Sequence, residues 1–518
     1  MALGVSVLYP AGRMLLAAVQ QWDTTALIGP AGMRAIVNTI LLGLGTVLVS
    51  GVFGTALAIL LTRYRFPGRG VLAPAAYLPF ALPPLVGVLS FWYLIGLDGF
   101  LPRIADHYLG WDISLRGWAA VLLIHGYAFY VFFYAMVSAA LGTMDQSLAE
   151  AARTLGASRW HAFTRVTLPL LRPSLAGASL LAFMSSGASF SAPYYFGQDF
   201  AVLSTAIFRE QQQFRTGAAL SMTVILAAIS LMGLALFRSS RRAGGQASKG
   251  TPRPLRSRTG QAAVALTAWT TVGLLLIPHC TIVWLSFVDH RAWQAELMPA
   301  VYTLGNYATL VQDPAKWQPV INSLWMSAVA AAACLAVGVP AGYLLGRKRR
   351  GGAAVGLLVM VPWALPGTVV GICLLVAFND PWMPAGAAIM MLPLAYFVRG
   401  VPLMTRVASA GIESFDASLI EAARTLGASR WHSLRRVALP LLWPGLVAGA
   451  ALVFTLSLGE FVASILLYLP HNKPISIEIA DVWNGSGIGA AFAYSVFLML
   501  LVIAAFAASH RFGGRASP

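Results

Sequence analysis

Glu460 is the residue whose type and place most invite chemistry. It stands in the otherwise apolar run FTLSLGEFVASILL, where an ionisable side chain is costly and by default marks a pathway or a partner. Its counterpart 271 residues earlier is Ser189, in FMSSGASFSAPYY. A cation crossing the chain would meet Glu460, Ser189, Ser186 and Tyr194, with Tyr195 beside them. The competing reading is a carboxyl that is protonated or bonded to neighbouring backbone near the external interface. His125, Tyr127, Tyr130 and Tyr134 share one apolar span and read as packing. Arg399 reads as a snorkelling side chain near a helix end, and Trp118, Trp363 and Trp382 as interfacial anchors. The sequence has no G-x-x-x-x-G-K-[ST] phosphate loop, no H-E-x-x-H zinc pair and no nucleophile–base constellation. Neither catalysis nor a bound metal is expected of this chain.

The elements that must position these groups are membrane spans. Hydrophobic residues make up 58% of the 518 and charged residues only 10%, against roughly 25% charged in soluble domains. Apolar runs near 3–20, 36–62, 71–97, 117–141, 174–196 and 217–238 are followed by a Gly-, Ser-, Pro- and Arg-rich linker at 239–260. Further runs lie near 262–288, 319–346, 354–378, 385–410, 445–468 and 487–510. The expected fold class is an all-α integral membrane protein of about 12 transmembrane helices, built as two six-helix halves, 1–238 and 261–518. The first run looks short beside 262–288, which predicts an abbreviated helix or an amino terminus further upstream.

The net charge of +17 would suggest nucleic acid in a soluble protein. Here the basic residues gather in alternate loops: RYRFPGR at 63–69, the linker, RKRR at 347–350 and two further stretches. That is the positive-inside pattern, so these loops and both termini are expected to be cytoplasmic and no nucleic-acid partner is expected. An even number of spans per half makes the halves parallel repeats, with substrate passing between them. Cys280, Cys334 and Cys373 all fall in apolar runs and read as packing.

Two of the basic stretches are nearly the same. EAARTLGASRWHAFTRVTLPLLRPSL at 150–175 and EAARTLGASRWHSLRRVALPLLWPGL at 421–446 agree at 20 of 26 positions. Asp145 and Asp416 can cap a helix. The alanines favour it, the pairs Glu150–Arg153 and Glu421–Arg424 support it, Gly156 and Gly427 can end it, and Pro169 and Pro440 should stop a second helix. A helix, a tight turn and a second helix lying across the face is the expected object, a docking surface for a protein. An amphipathic helix resting on lipid is the alternative.

The spacing E-A-A-x3-G-x9-V-x-L-P in both copies resembles the coupling-helix motif of permease subunits of binding-protein-dependent ABC importers, with Val166 and Val437 where that motif usually has Ile. The resemblance covers essentially the whole chain as a fused pair of permease domains. It implies that Glu150, Ala151, Ala152 and Gly156, with Glu421, Ala422, Ala423 and Gly427, seat on ATPase subunits. It also implies two copies of that ATPase at the cytoplasmic face, holding the ATP and Mg, and a substrate-binding protein outside. The chain itself would bind no cofactor and would lie in the bacterial inner membrane.

The fused plan, YRFPGR after the second span and SLGEFVASILLY near the end look most like the ferric-iron permeases. Thiamine permeases share the plan, polyamine and phosphonate systems are related, and the Gly-Glu-Phe string also resembles segments of molybdate and sulfate permeases. An ion-coupled secondary transporter, with Glu460 as its proton or Na⁺ site, is the reading from a different class.

Overall fold

The computed structural model describes residues 3–97, 99–145, 147–198, 200–240, 253–254, 257–289, 297–299, 301–347, 351–378, 387–416, 418–485 and 487–513. Most of the 239–260 linker, most of RKRR, Trp382 and the external loop expected at 379–384 lie outside them. The described chain is almost entirely helical. Among these residues ten helices are long and apolar enough to cross a membrane, or eleven if one bent pair counts as a span. The all-helical membrane architecture is therefore as expected. The amino-terminal run is helical, Gly4 to Gln20 with a wide first turn, but shorter than a full span.

The chain packs as two compact units, and these do not follow the order of the sequence. One gathers Met1–Asp23, Phe214–Val224 and Ile282–Pro518; the other gathers Thr24–Gln213 and Ile225–Thr281. In the first, Tyr9 packs its ring 5.9 Å from Phe378. In the second, Ala268, Val272 and Leu275 of the Arg258–Leu285 helix share a core with Leu57, Leu61, Tyr130 and Leu171.

Each unit secures one short helix with the same two hydrogen bonds. Thr39 Oγ1 accepts the Leu203 N–H at 2.9 Å and Asn38 Nδ2 donates to the Ala201 carbonyl at 2.9 Å. In the other unit, Ser323 Oγ accepts the Ile475 N–H at 2.8 Å and Asn322 Nδ2 donates to the Lys473 carbonyl at 3.0 Å. The amide and hydroxyl come from the third turns of the long helices Pro30–Arg63 and Pro314–Gly346, so the helices Leu203–Gln212 and Ile475–Gly485 start from a fixed point.

Four expected single spans are interrupted: within the 174–196 and 445–468 runs the long helices end at Gly187 and Leu458 and short ones follow, and two other runs break at a proline. The 71–97 run forms Arg69–Ala75, Leu78–Ala81 and then Pro84–Ile95. The 354–378 run forms helices on either side of Leu365 and Pro366, bent by 107°. Both breaks fall at the same Ala-Leu-Pro string. A residue before proline is pushed out of the helical region, and Leu82 and Leu365 take ψ of 123° and 132°. Hydrophobicity alone runs straight through such a break.

Breaking a helix frees carbonyls, and the tyrosines read as packing answer two of them. Tyr130 Oη donates to the Ala76 carbonyl at 2.7 Å and Tyr134 Oη to the Ala73 carbonyl at 2.9 Å. Tyr130→Phe should leave a buried acceptor unsatisfied and cost about 1–3 kcal/mol. A fall in the thermal midpoint in detergent, larger than for an exposed Tyr108→Phe control, is the expected reading.

Candidate functional site

The repeated stretch is built alike in both units. Asp145 Oδ1 accepts the Ser147 N–H at 2.9 Å, and Asp416 Oδ1 accepts the Ser418 N–H at 2.9 Å. The short helices Ser147–Thr154 and Ser418–Thr425 follow. These backbone hydrogen bonds favour the ionised carboxyls and hold both below the usual aspartate range. A depressed folded-state pKa means the caps are intact above the ordinary aspartate value and are lost only as pH falls through the lower, folded one. Neutral-range acidification therefore leaves them in place. Glu150 and Glu421 stand exposed in the first turn, where the helix dipole favours negative charge.

Each helix ends in the paired hydrogen bonds of a glycine C-cap. Ala157 N–H reaches the Ala152 carbonyl and Gly156 N–H the Arg153 carbonyl; Ala428 reaches Ala423 and Gly427 reaches Arg424 in the same way. Gly156 and Gly427 take φ of +89° and +88°, a conformation other residues enter only at a cost. A second pair of caps was legible in the sequence but not read there: Ser158 Oγ accepts the His161 N–H and Ser429 Oγ the His432 N–H. The histidines are thus exposed residues of a capped turn.

One expectation is corrected. Pro169 and Pro440 do not stop the second helix, which runs from Arg159 to Gly187 and from Trp431 to Leu458 as a single span in each case. Proline lacks the N–H that would bond four residues back and its ring crowds that carbonyl. The helix accommodates it with one wide turn, in which Leu168 N–H reaches back to Phe163 and Leu439 N–H to Leu434. The capped turn is therefore continuous with a membrane span, which begins earlier than the apolar run suggests. Leu155 and Leu426, at 89% and 88% exposure, project from the two turns, with Trp160 and Trp431 also exposed. Ala151 and Ala422 are exposed and Ala152 and Ala423 half-buried, so that face is small.

The residues that the sequence suggested for a pathway are held differently in the two units. Ser186 is buried, and its Oγ lies 3.0 Å from Thr46 Oγ1 and 3.1 Å from His125 Nδ1. Ser189 Oγ is 2.9 Å from His125 Nε2. His125, read as packing, thus centres a polar network. Tyr194 is 44% exposed and stacks on Phe190 with centroids 5.0 Å apart.

Glu460 accepts the Ala463 N–H at Oε1, 3.0 Å, and pairs at Oε2 with Arg399 Nε, 2.7 Å. The backbone bond of the alternative reading is therefore present, but so is an ion pair. Arg399 lies in the middle of the Ala387–Ser414 helix rather than near its end, and is not a snorkelling side chain. Cys334 and Cys373 are buried as expected, whereas Cys280 is exposed.

Comparison with known proteins places these features. Residues 50–243 and 338–517 both match the family described as binding-protein-dependent transport system inner membrane component. A probable ABC transporter permease protein of Sinorhizobium fredii is 30% identical over 86% of this chain and 81% of its own length. A ferric transport system permease protein of Actinobacillus pleuropneumoniae is 28% identical over 91% of this chain and 70% of its own. A sulfate transport system permease protein of Escherichia coli is 33% identical over 41% of this chain and 77% of its own. Permeases of this family carry no cofactor, and the ATPase is a separate subunit. With the family matched in both halves, the chain belongs to the binding-protein-dependent transport system inner membrane components and is the non-catalytic, multi-pass permease subunit of an ABC importer.

Proposed function

We propose that the two repeats are the docking elements through which ATP hydrolysis drives this permease, one for each of two ATPase subunits, and that the cargo is ferric iron. The observation that carries the docking reading is the duplicated turn: capped at both ends, presenting an exposed leucine and tryptophan, and continuous with a span. Apolar side chains that project so far from a rigid turn are suited to a partner's groove. Ala151, Ala152, Ala422 and Ala423 let that partner approach closely, Glu150 and Glu421 lie at the contact, and Gly156 and Gly427 set the turn. Closure of the ATPase pair would then be passed directly to the spans as alternating access.

The basic loops support a cytoplasmic position for the repeats and for both termini, in the inner membrane of a bacterium. An external binding protein would deliver the cargo. Glu460, Ser189, Ser186 and Tyr194 are assigned to the pathway, in domains bounded by the 239–260 linker. Iron is supported by the ferric permease relative, which matches the fused chain over most of its length. The sulfate permease relative and the neutralisation of Glu460 by Arg399 favour an oxyanion as the second reading.

Proteoliposomes containing the permease, its ATPase and its binding protein test this. The expected result is ATP-dependent uptake of radiolabelled ferric iron. Uptake of sulfate or molybdate in its place would overturn the iron assignment, and uptake undiminished without the ATPase would overturn the importer mechanism.

A further inference from the structure

The break at Leu365–Pro366 brings together groups that the docking mechanism does not use. Irregular backbone at membrane depth is tolerated where it is buried in protein or lines a watery cavity. Gly367 opens the twelve-residue helix Gly367–Phe378. The N–H groups of its first turn have no partner within the helix, and this end carries the positive pole of the helix dipole. Val370 N–H is taken by the Pro366 carbonyl; Gly367, Thr368 and Val369 precede it.

Arg399 approaches this same end. A Cβ on Gly367 would lie 3.1 Å from Arg399 Nη1 and 3.0 Å from Val462 Cβ, so glycine is what admits the guanidinium. Arg399 is 33% exposed, and its Nε edge is engaged by Glu460. Among the described residues, Nη1 and Nη2 have no hydrogen-bond acceptor. Glu460 is itself fixed, with its carbonyl accepting both Ser464 Oγ and Ser476 Oγ.

Thr368, the second residue of the Gly367–Phe378 helix, adds an unpartnered group. It is fully buried, and its hydroxyl has no hydrogen-bond partner. A buried orphan hydroxyl is unfavourable for the fold and calls for an explanation. A guanidinium fork beside the free N–H groups of a helix end, with an unpartnered hydroxyl on the next residue, supplies the kinds of donor that an oxyanion takes.

The other half has none of it. Counting from the matching Ala-Leu-Pro strings, Pro84 stands for Gly367 and Leu85 for Thr368; at the repeat offset, Ala128 stands for Arg399 and Ser189 for Glu460. The feature is therefore not a requirement of the shared architecture.

We propose that Arg399, Thr368 and the amino end of the Gly367–Phe378 helix form an oxyanion-binding site in the cargo pathway, with Glu460 as the residue that positions Arg399. This rests on the importer reading. The oxyanion would be either the cargo itself or the anion that accompanies a ferric ion.

The test uses the complete transporter in proteoliposomes, with radiolabelled sulfate, phosphate, and ferric iron supplied with labelled phosphate as probes. Thr368→Val keeps the shape and removes the hydroxyl; Arg399→Lys keeps the charge and removes the fork. Each should lower uptake by about tenfold, the scale of a hydrogen bond to a charged group, with the ATPase rate of the complex within about twofold of wild type. Thr368→Val should also unfold at the same or a higher temperature, since it removes an orphan hydroxyl, an outcome that a purely structural threonine would not combine with lost uptake. Sulfate or phosphate taken up alone identifies a free oxyanion, and labelled phosphate entering only with iron identifies an accompanying one. Wild-type uptake matched by both variants would overturn the site and leave the importer reading standing. Absence of ATP-dependent uptake of every probe by the wild type would overturn the site together with the iron and oxyanion readings of the cargo.

Discussion

Gly427→Ile is expected to cut ATP-driven import by about tenfold or more, an effect of backbone strain alone. A Cβ at Gly427 meets nothing within 4 Å, so crowding is not the cause. The residue holds φ at +88°, where a β-branched side chain is strained by about 1–3 kcal/mol. Relief of that strain must unwind the C-cap, and the bonds from Gly427 to Arg424 and from Ala428 to Ala423 would be lost with it. Leu426 and Trp431 would then no longer be presented from one rigid turn. Asparagine tolerates the left-handed region far better, so Gly427→Asn should keep most of the import. The measurement is import per ATP hydrolysed; equal coupling in the isoleucine and asparagine variants would contradict the role given to the turn.

Glu460→Ala is expected to destabilise the membrane-spanning part strongly. It leaves the Arg399 guanidinium in mid-helix without its partner. Breaking a buried ion pair by removing one side costs about 3–5 kcal/mol, and the partial exposure of Arg399 places this case toward the low end. The loss should appear as a lower thermal midpoint in detergent. Replacing both residues, as Arg399→Met with Glu460→Met, removes the uncompensated charge and should recover most of the stability. Import should not recover, because the free edge of Arg399 is lost as well. A double variant as unstable as Glu460→Ala alone would show that the pair matters for reasons other than charge.

The turns of the two repeats were legible because everything that shapes them is local. The aspartate, the glycine and the alanines lie within a dozen residues of one another, and their spacing states the caps directly. Ser158 and Ser429 carried the same kind of signal, as serines opening a helical turn. Pro169 and Pro440 misled because a proline inside a helix looks like a stop until the wide turn before it is known. The breaks at Leu82 and Leu365 had a written signal, a Leu-Pro step, that the continuous hydrophobicity of a span hides.

The remaining features are not written locally at all. Arg399 and Glu460 are 61 residues apart in sequence, and their pairing exists only once the Ala387–Ser414 helix packs beside the Gly459–Ala463 turn. The same holds for His125, whose partners Thr46, Ser186 and Ser189 come from two other helices and the turn that follows one of them. Membership of the amino-terminal helix in the unit of the second half depends on tertiary packing.

The most direct test of the docking claim is a photo-crosslinker placed at Leu155 and, separately, at Leu426 in membranes containing the complete transporter. Both side chains are exposed, so the probe replaces no packed contact. The account predicts an adduct with the ATPase subunit from each position, changing in yield when ATP is bound. Adducts with lipid alone from both positions would instead make the repeats membrane-surface helices, and would contradict their assignment as the elements that drive the permease.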